Sequence, residues 1–278
     1  MTRPTLAPGP VEIVPAVQRV TAPNAGPMTG PGTNTYIIGR DPAIVVDPAV
    51  DDTAHFDALE TAAGRVAAIW LTHRHPDHAG GAEAFAYRTR APLRAWPQTR
   101  PGRFDVDVPI DRPLADGERV ECGPVALQAI HTPGHAADHM CFLLEPAQII
   151  LAGDLLMTDS SVVILPPEGR MTDYLNSLRT IRGLPLVSIA PAHGELMTQP
   201  ITAIDNAIDH RTKREAEVLG RLSAHEPQPV AAITEQLYPG LSGDLRQAAG
   251  AQVWAHLIRL GERGKAHSDD AGWYAATG

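Results

Sequence analysis

The sequence predicts an α/β (α+β) layered domain over residues 1–200 and a small helical module over residues 201–278. Three observations lead there. Short apolar runs with strand character alternate with helical patterns as far as Ala190. Several of those runs end in small residues followed by His or Asp. After Pro200 the texture changes to long helical periodicities.

Up to about Gly32 the chain is Pro-rich and reads as extended, with an early strand at Val11–Val14. Asn34–Gly39 and Ala43–Val46 read as two strands joined by a turn at Arg40–Asp41. Asp51–Gly64 reads as helix, and Val66–Leu71 is a continuous apolar run that suits a buried strand. Gly80–Arg88 reads as a helix, whereas Ala91–Gly117 holds five Pro and reads as loop or irregular strand. Strands are expected at Val125–Ile130, Met140–Leu144, Gln148–Leu151 and Val187–Ala190, with a helix at Tyr174–Ile181. Beyond Pro200, helices are expected at Ile204–Leu222, Pro229–Leu237 and Ser242–Leu260. In the last, Trp254, Leu257 and Ile258 have helical spacing. A turn at Ser268-Asp269-Asp270 closes a short hairpin over Lys265–Tyr274, giving a winged-helix-like tail.

The 278 residues carry a formal net charge of −9, with 12 His but only 2 Cys. The acidic balance argues against a protein held mainly by nucleic acid or anionic membrane. No apolar run is long enough for a membrane span. Pro4, Pro8, Pro10 and Pro15 interrupt any secretory core, so a cytoplasmic location is expected. Cys122 and Cys141 are expected to be free and buried, because two Cys make neither a disulfide scaffold nor a Cys-rich zinc module.

The abundant His concentrates in Leu71-Thr72-His73-Arg74-His75-Pro76-Asp77-His78. In extended chain His73 and His75 point the same way and Arg74 the other. Pro76 then turns the chain, so Asp77 and His78 approach the same pocket from a second direction. Imidazole and carboxylate suit Zn²⁺, Mn²⁺ or Fe²⁺. The lack of nearby Cys argues against a closed structural zinc site. Three more strand-like runs end in ligand-type residues: His131 to His139, Gly153-Asp154 and Ala192-His193.

Taken together, His-x-His-x-Asp-His followed in order by His135, Asp154 and His193 resembles the metallo-β-lactamase superfamily over roughly residues 30–195. The resemblance implies a four-layer αββα sandwich with two divalent metal ions at one edge, zinc first and manganese or iron as alternatives. It implies that His73, His75 and His135 bind the first metal, that Asp77, His78 and His193 bind the second, and that Asp154 bridges them. Asp47 matches the family's early structural Asp. Gly30–Tyr36, the segment around His135, the Tyr174 helix and His210-Arg211 look like one subgroup, the mitochondrial β-lactamase-like endoribonuclease and its bacterial relatives.

The expected chemistry is hydrolysis by a metal-bound hydroxide, with Asp77 and His139 as candidate catalytic residues. His139 either supports a ligand or lines the substrate pocket, and His131 is read as a structural His at a strand end. His55, His210, His225, His256 and His267 are read as surface residues, Tyr174 as packing, and Arg211, Lys213 and Arg214 as a solvated basic helix face. A small ester, thioester or lactone is the first substrate reading, and single-stranded RNA the alternative. Against RNA, residues 201–278 hold 8 basic and 10 acidic side chains. A glyoxalase II-like thioesterase and a mononuclear-iron persulfide dioxygenase are lesser alternatives. No membrane partner is expected, and a homodimer is possible.

Overall fold

The computed structural model describes residues 9–97, 100, 102–158 and 161–276. The first part of the Pro-rich start, residues 1–8, and Pro101 of the five-Pro segment lie outside them. One sheet holds β1 (Val11–Val14), β2 (Val17–Thr21), β3 (Asn34–Gly39), β4 (Ala43–Val46), β5 (Val66–Trp70) and β6 (Leu93–Arg94), in that spatial order. Its first four strands are antiparallel, and β4, β5 and β6 are parallel. Parallel pairing requires crossovers, which α1 (Thr53–Ala63) and α3 (Ala82–Thr89) supply. Asp52 caps α1 by accepting the His55 backbone N–H at 2.8 Å.

The second sheet has the order β11-β10-β9-β8-β7, from β7 (Arg119–Cys122), β8 (Val125–His131), β9 (Met140–Glu145), β10 (Ile149–Gly153) and β11 (Ser188–Pro191). Only its β10–β11 pair is parallel, with α4 (Met171–Arg182) in the crossover. Side-chain alternation builds the layers. Ile37, Val45 and Ile69 face Phe56, Leu59 and Phe85 of α1 and α3. Ile38, Val46 and Trp70 point the other way, against Leu127, Phe142 and Leu151 of the second sheet. Cys141, Ile150 and Ile189 cover that sheet's outer face, under Leu175, Leu178 and Ile181 of α4. The result is an αββα sandwich, and strands buried on both faces explain the continuous apolar runs.

The expected long helices of the tail are α5 (Pro200–Leu219), α6 (Val230–Leu237) and α7 (Gly243–Glu262), followed by the hairpin β12 (Ala266–Asp269) and β13 (Gly272–Ala275). Val218, Ile233, Val253, Leu257 and Leu260 form a separate core that makes this a winged-helix-like module. Trp254, whose spacing suggested the packed face, is 40% exposed, because Val253 rather than Trp254 points inward. Helix α5 belongs to both units: Ile204 lies in the sandwich core and Val218 in the tail core. No helix among the described residues is long and apolar enough to cross a membrane. Both Cys are free and buried, and burial pushes the Cys141 thiol up to about 12.

Candidate metal centre

The site forms where β5, β10 and β11 end. His73 and His75 follow β5, and Pro76 starts a one-turn helix, α2 (Pro76–Ala79), that carries Asp77 and His78. His135 lies in the connection between β8 and β9, Asp154 follows β10, and His193 follows β11. The carboxyl ends of the parallel pairs thus gather residues that are far apart in sequence. Gly153, at φ +49°, is required there: a Cβ would lie 2.5 Å from His139 Nε2.

The seven sequence-predicted ligands come together in two groups. His73 Nε2 and His135 Nε2 lie 3.0 and 2.9 Å from His75 Nδ1. On the other side, Asp77 Oδ2 lies 3.3 Å from His193 Nε2 and 3.7 Å from His78 Nε2. Asp154 stands between the groups, with Oδ2 3.5 Å from His135 Nε2 and Oδ1 3.3 Å from His193 Nε2. His73, His75 and His135 can hold one ion, and Asp77, His78 and His193 another.

The outer nitrogens fix the tautomers. His135 Nδ1–H donates to Val163 O at 2.7 Å, and His78 Nδ1–H donates to Asp47 Oδ2 at 2.8 Å. His73 Nδ1–H donates to Thr72 Oγ1 at 3.0 Å, and that hydroxyl donates to Asp47 Oδ2 at 2.6 Å. Asp47 also accepts the Thr72 backbone N–H, and it holds a left-handed φ of +52° to do so. With the outer nitrogens of His73 and His135 spent as donors, their inner lone pairs both face His75 Nδ1 at about 3 Å. Likewise, His78 Nε2, His193 Nε2 and Asp154 Oδ1 are buried without a hydrogen-bond partner. Such orphaned polar atoms are costly, and a cation held among them would remove that cost. The residues therefore fit a pair of divalent ions.

Charge in the protein follows the same division. Burial holds His73 well below the ordinary histidine range and lowers His135 to about 4, so both are neutral. Burial also opposes charge on His193 and His78, but carboxylates outweigh it: Asp154 first among them lifts His193 to about 9, and Asp77 and Asp154 lift His78 well up. Asp77 is drawn down to about 2 against burial, by His78 and His193.

Of the other expectations, some hold and some are corrected. His139 does not line an open pocket: it is fully buried, its Nδ1–H donates to Thr132 Oγ1 at 2.9 Å, and its Nε2 accepts the Asp154 backbone N–H at 3.0 Å. Its contacts place it as a support behind Asp154. His55 and His256, read as surface residues, are 4% and 0% exposed. His55 lies on the inner face of α1 against Thr35 Oγ1, and α7 turns His256 toward α5. Arg211 is not solvated: it stacks over Tyr174 and donates to Val162 O. His131 is structural, stacked on Trp96 with its Nε2 at 3.1 Å from Ala137 O. Sequence reading missed the Arg74–Asp138 ion pair at 2.6 Å, and also Asp105 and Glu168, which lie 3.9 and 3.8 Å from His75 Nε2. Nothing in their local sequence marks them, because they reach the site from separate loops.

An αββα sandwich with a binuclear His/Asp centre at the ends of its strands defines a metal-dependent hydrolase. The chain belongs to the metallo-beta-lactamase superfamily, whose model matches residues 28–193. Residues 230–273 match the beta-lactamase associated winged helix domain. The chain is similar to the beta-lactamase-like protein 2 homolog of Caenorhabditis elegans, at 29% identity over 88% of this chain and 84% of the relative. It is also similar to an atrochrysone carboxyl ACP thioesterase of Aspergillus fumigatus, at 29% identity over 74% of this chain and 64% of the relative. Among solved structures, a beta-lactamase domain protein of Burkholderia ambifaria shares the fold with a TM-score of 0.80, at 22% identity over 97% of this chain and 93% of that one.

Proposed function

We propose that this protein hydrolyses a small acyl substrate, an ester, thioester or lactone, at a centre holding two zinc ions. The observation that carries the reading is the pair of candidate ligand groups on either side of Asp154, with two buried imidazole nitrogens and a carboxylate oxygen left without hydrogen-bond partners. His73, His75 and His135 would hold the first ion, Asp77, His78 and His193 the second, and Asp154 both. The ions, when bound, supply Lewis acidity and a nucleophilic water at neutral pH. The chain's own part is orientation. Asp47 and Thr72 lock His78 and His73, Val163 O locks His135, and His139 fixes the Asp154 backbone. Asp77, with a side chain 28% exposed against 2% for His193, is the ionised group on the open side.

Two observations favour an acyl substrate. One similar protein is a thioesterase by name. A groove of about 580 Å³, lined by none of the proposed ligands, lies between Leu156, Met157 and Met197 and the α5 residues Ala203, Asn206 and His210, in the connections that follow Asp154 and His193. That volume suits a small ligand. Single-stranded RNA is the second reading, favoured by the winged-helix module and by the resemblance to the endoribonuclease subgroup. Its basic face is weak. Arg211 is buried, and Arg214 is tied to Glu217 and stacked on Tyr238. A turnover panel tests the choice, with zinc, manganese and iron forms against an acyl-thioester, a lactone and single-stranded RNA. The zinc form is expected to turn over an acyl substrate. RNA cleavage without acyl hydrolysis replaces this reading with the second.

A further inference from the structure

His75 stands apart from the other histidines of the centre. Their outer nitrogens each have an acceptor within hydrogen-bond distance, a backbone carbonyl, the Thr72 hydroxyl or Asp47. The outer Nε2 of His75 instead faces two carboxylates, Glu168 at 3.8 Å and Asp105 at 3.9 Å. Their side chains are only 8% and 7% exposed. Glu168 Oε1 is buried without a hydrogen-bond partner, so this carboxylate is held in place at an energetic cost. The surrounding loop is shaped for it. Asp105 Oδ2 accepts the Gly102 backbone N–H at 2.7 Å. Gly102 passes so close that a Cβ there would lie 1.9 Å from Glu168 Oε2. Nearby, Arg74 is already committed to Asp138.

We propose that Glu168, with Asp105 beside it, is a positioning residue for the metal centre: it fixes His75 as the Nε2–H tautomer and keeps the Nδ1 lone pair turned toward His73 and His135. The distances exceed a direct hydrogen bond. Electrostatics nevertheless decides the tautomer in a buried site. An Nε2 lone pair facing two carboxylates is repelled, whereas an Nε2–H dipole is attracted. The other tautomer would also aim a proton at His73 Nε2 and His135 Nε2, 3.0 and 2.9 Å from Nδ1. A carboxylate behind a ligating imidazole also raises its basicity, which tightens the ion it holds. The role rests on the binuclear reading above.

The test is zinc affinity of the demetallated full chain, titrated with Zn²⁺ against a chromophoric chelator, together with melting of the metal-free protein. Glu168→Gln is expected to weaken one of the two ions by roughly 10–100-fold and leave the other unchanged. Glu168→Asp is expected to recover part of that loss. The metal-free melting temperature of Glu168→Gln should stay close to that of the wild type, because the amide fills the same space. Wild-type affinity for both ions in Glu168→Gln overturns the proposal. So does a lowered metal-free melting temperature with both ions weakened alike, which is a merely structural role. So does loss of a third ion alone, which would give these carboxylates an ion of their own. Failure of the binuclear reading is distinguishable, since it appears in the wild type as uptake of fewer than two ions.

Discussion

The metal centre and the seam between α5 and α7 both bury histidine and charge. In the centre the buried atoms converge: three imidazole nitrogens meet at about 3 Å, and Asp154 turns one oxygen to each ligand group. In the seam the buried charges close on one another. Glu215 of α5, 5% exposed, is paired with both Arg259 and Arg263. Arg211 is spent on Val162 O and Gln252. His256 is left over, fully buried, with neither nitrogen bonded. Burial of a histidine therefore does not by itself mark a metal site. Convergence of several lone pairs does, because only a shared cation satisfies all of them.

The largest effect that separates the two regions is on turnover. Asp154→Ala should lower kcat by ~10³-fold or more, since both ions lose a ligand and their Lewis acidity is worth several kcal/mol. Elemental analysis should show fewer than two ions per chain, with circular dichroism unchanged. Full activity in this variant would remove Asp154 from the mechanism. Glu215→Gln should act in the opposite sense. It leaves Arg259 in the seam without its buried counter-charge, at a cost of about 3 kcal/mol in urea unfolding. The kcat of the folded fraction should hold. A change in kcat at unchanged stability would mean that the seam communicates with the centre.

What could be read from the sequence divides along the same line. The candidate ligands were legible because ligand chemistry restricts residue type and because a strand, a Pro and a one-turn helix fix the spacing of His73, His75, Asp77 and His78. Asp47 was legible through its match to the family motif. Glu168 and Asp105 were not, since any loop carboxylate could have filled that place and only the folded backbone selects these two. Burial of His256 and Arg211 was hidden for another reason. A helix periodicity tells which residues share a face, but not that a second helix covers the face; here α5 and α7 pack on each other, with Arg211 on the one and His256 on the other both buried. Strand β2 was missed because Arg19 interrupts its apolar pattern, although Arg19 is buried and paired with Glu195 at 2.8 Å. Strand β7 was missed as a short edge with Arg119 and Glu121 exposed.

The smallest effect belongs to His256 and is visible only against pH. Burial, helped by Arg211, Arg259 and Arg214, lowers its pKa to about 3. In the unfolded chain it takes up a proton near its ordinary pKa, roughly 6.5. Between those limits the unfolded state binds more protons, so the stability is complete above roughly pH 6.5 and declines as the pH falls. Each pH unit in that window costs about 1.4 kcal/mol. His256→Leu keeps the seam filled and removes the titration. The difference in unfolding free energy between wild type and variant, measured in urea from pH 7 to pH 5, cancels every group the two share. The variant should gain on the wild type by about 1 kcal/mol at pH 5.5 relative to pH 7. Parallel curves would mean that folded His256 accepts its proton at an ordinary pH, and the seam would then have to supply a counter-charge to it, as the carboxylates of the metal centre do for His193.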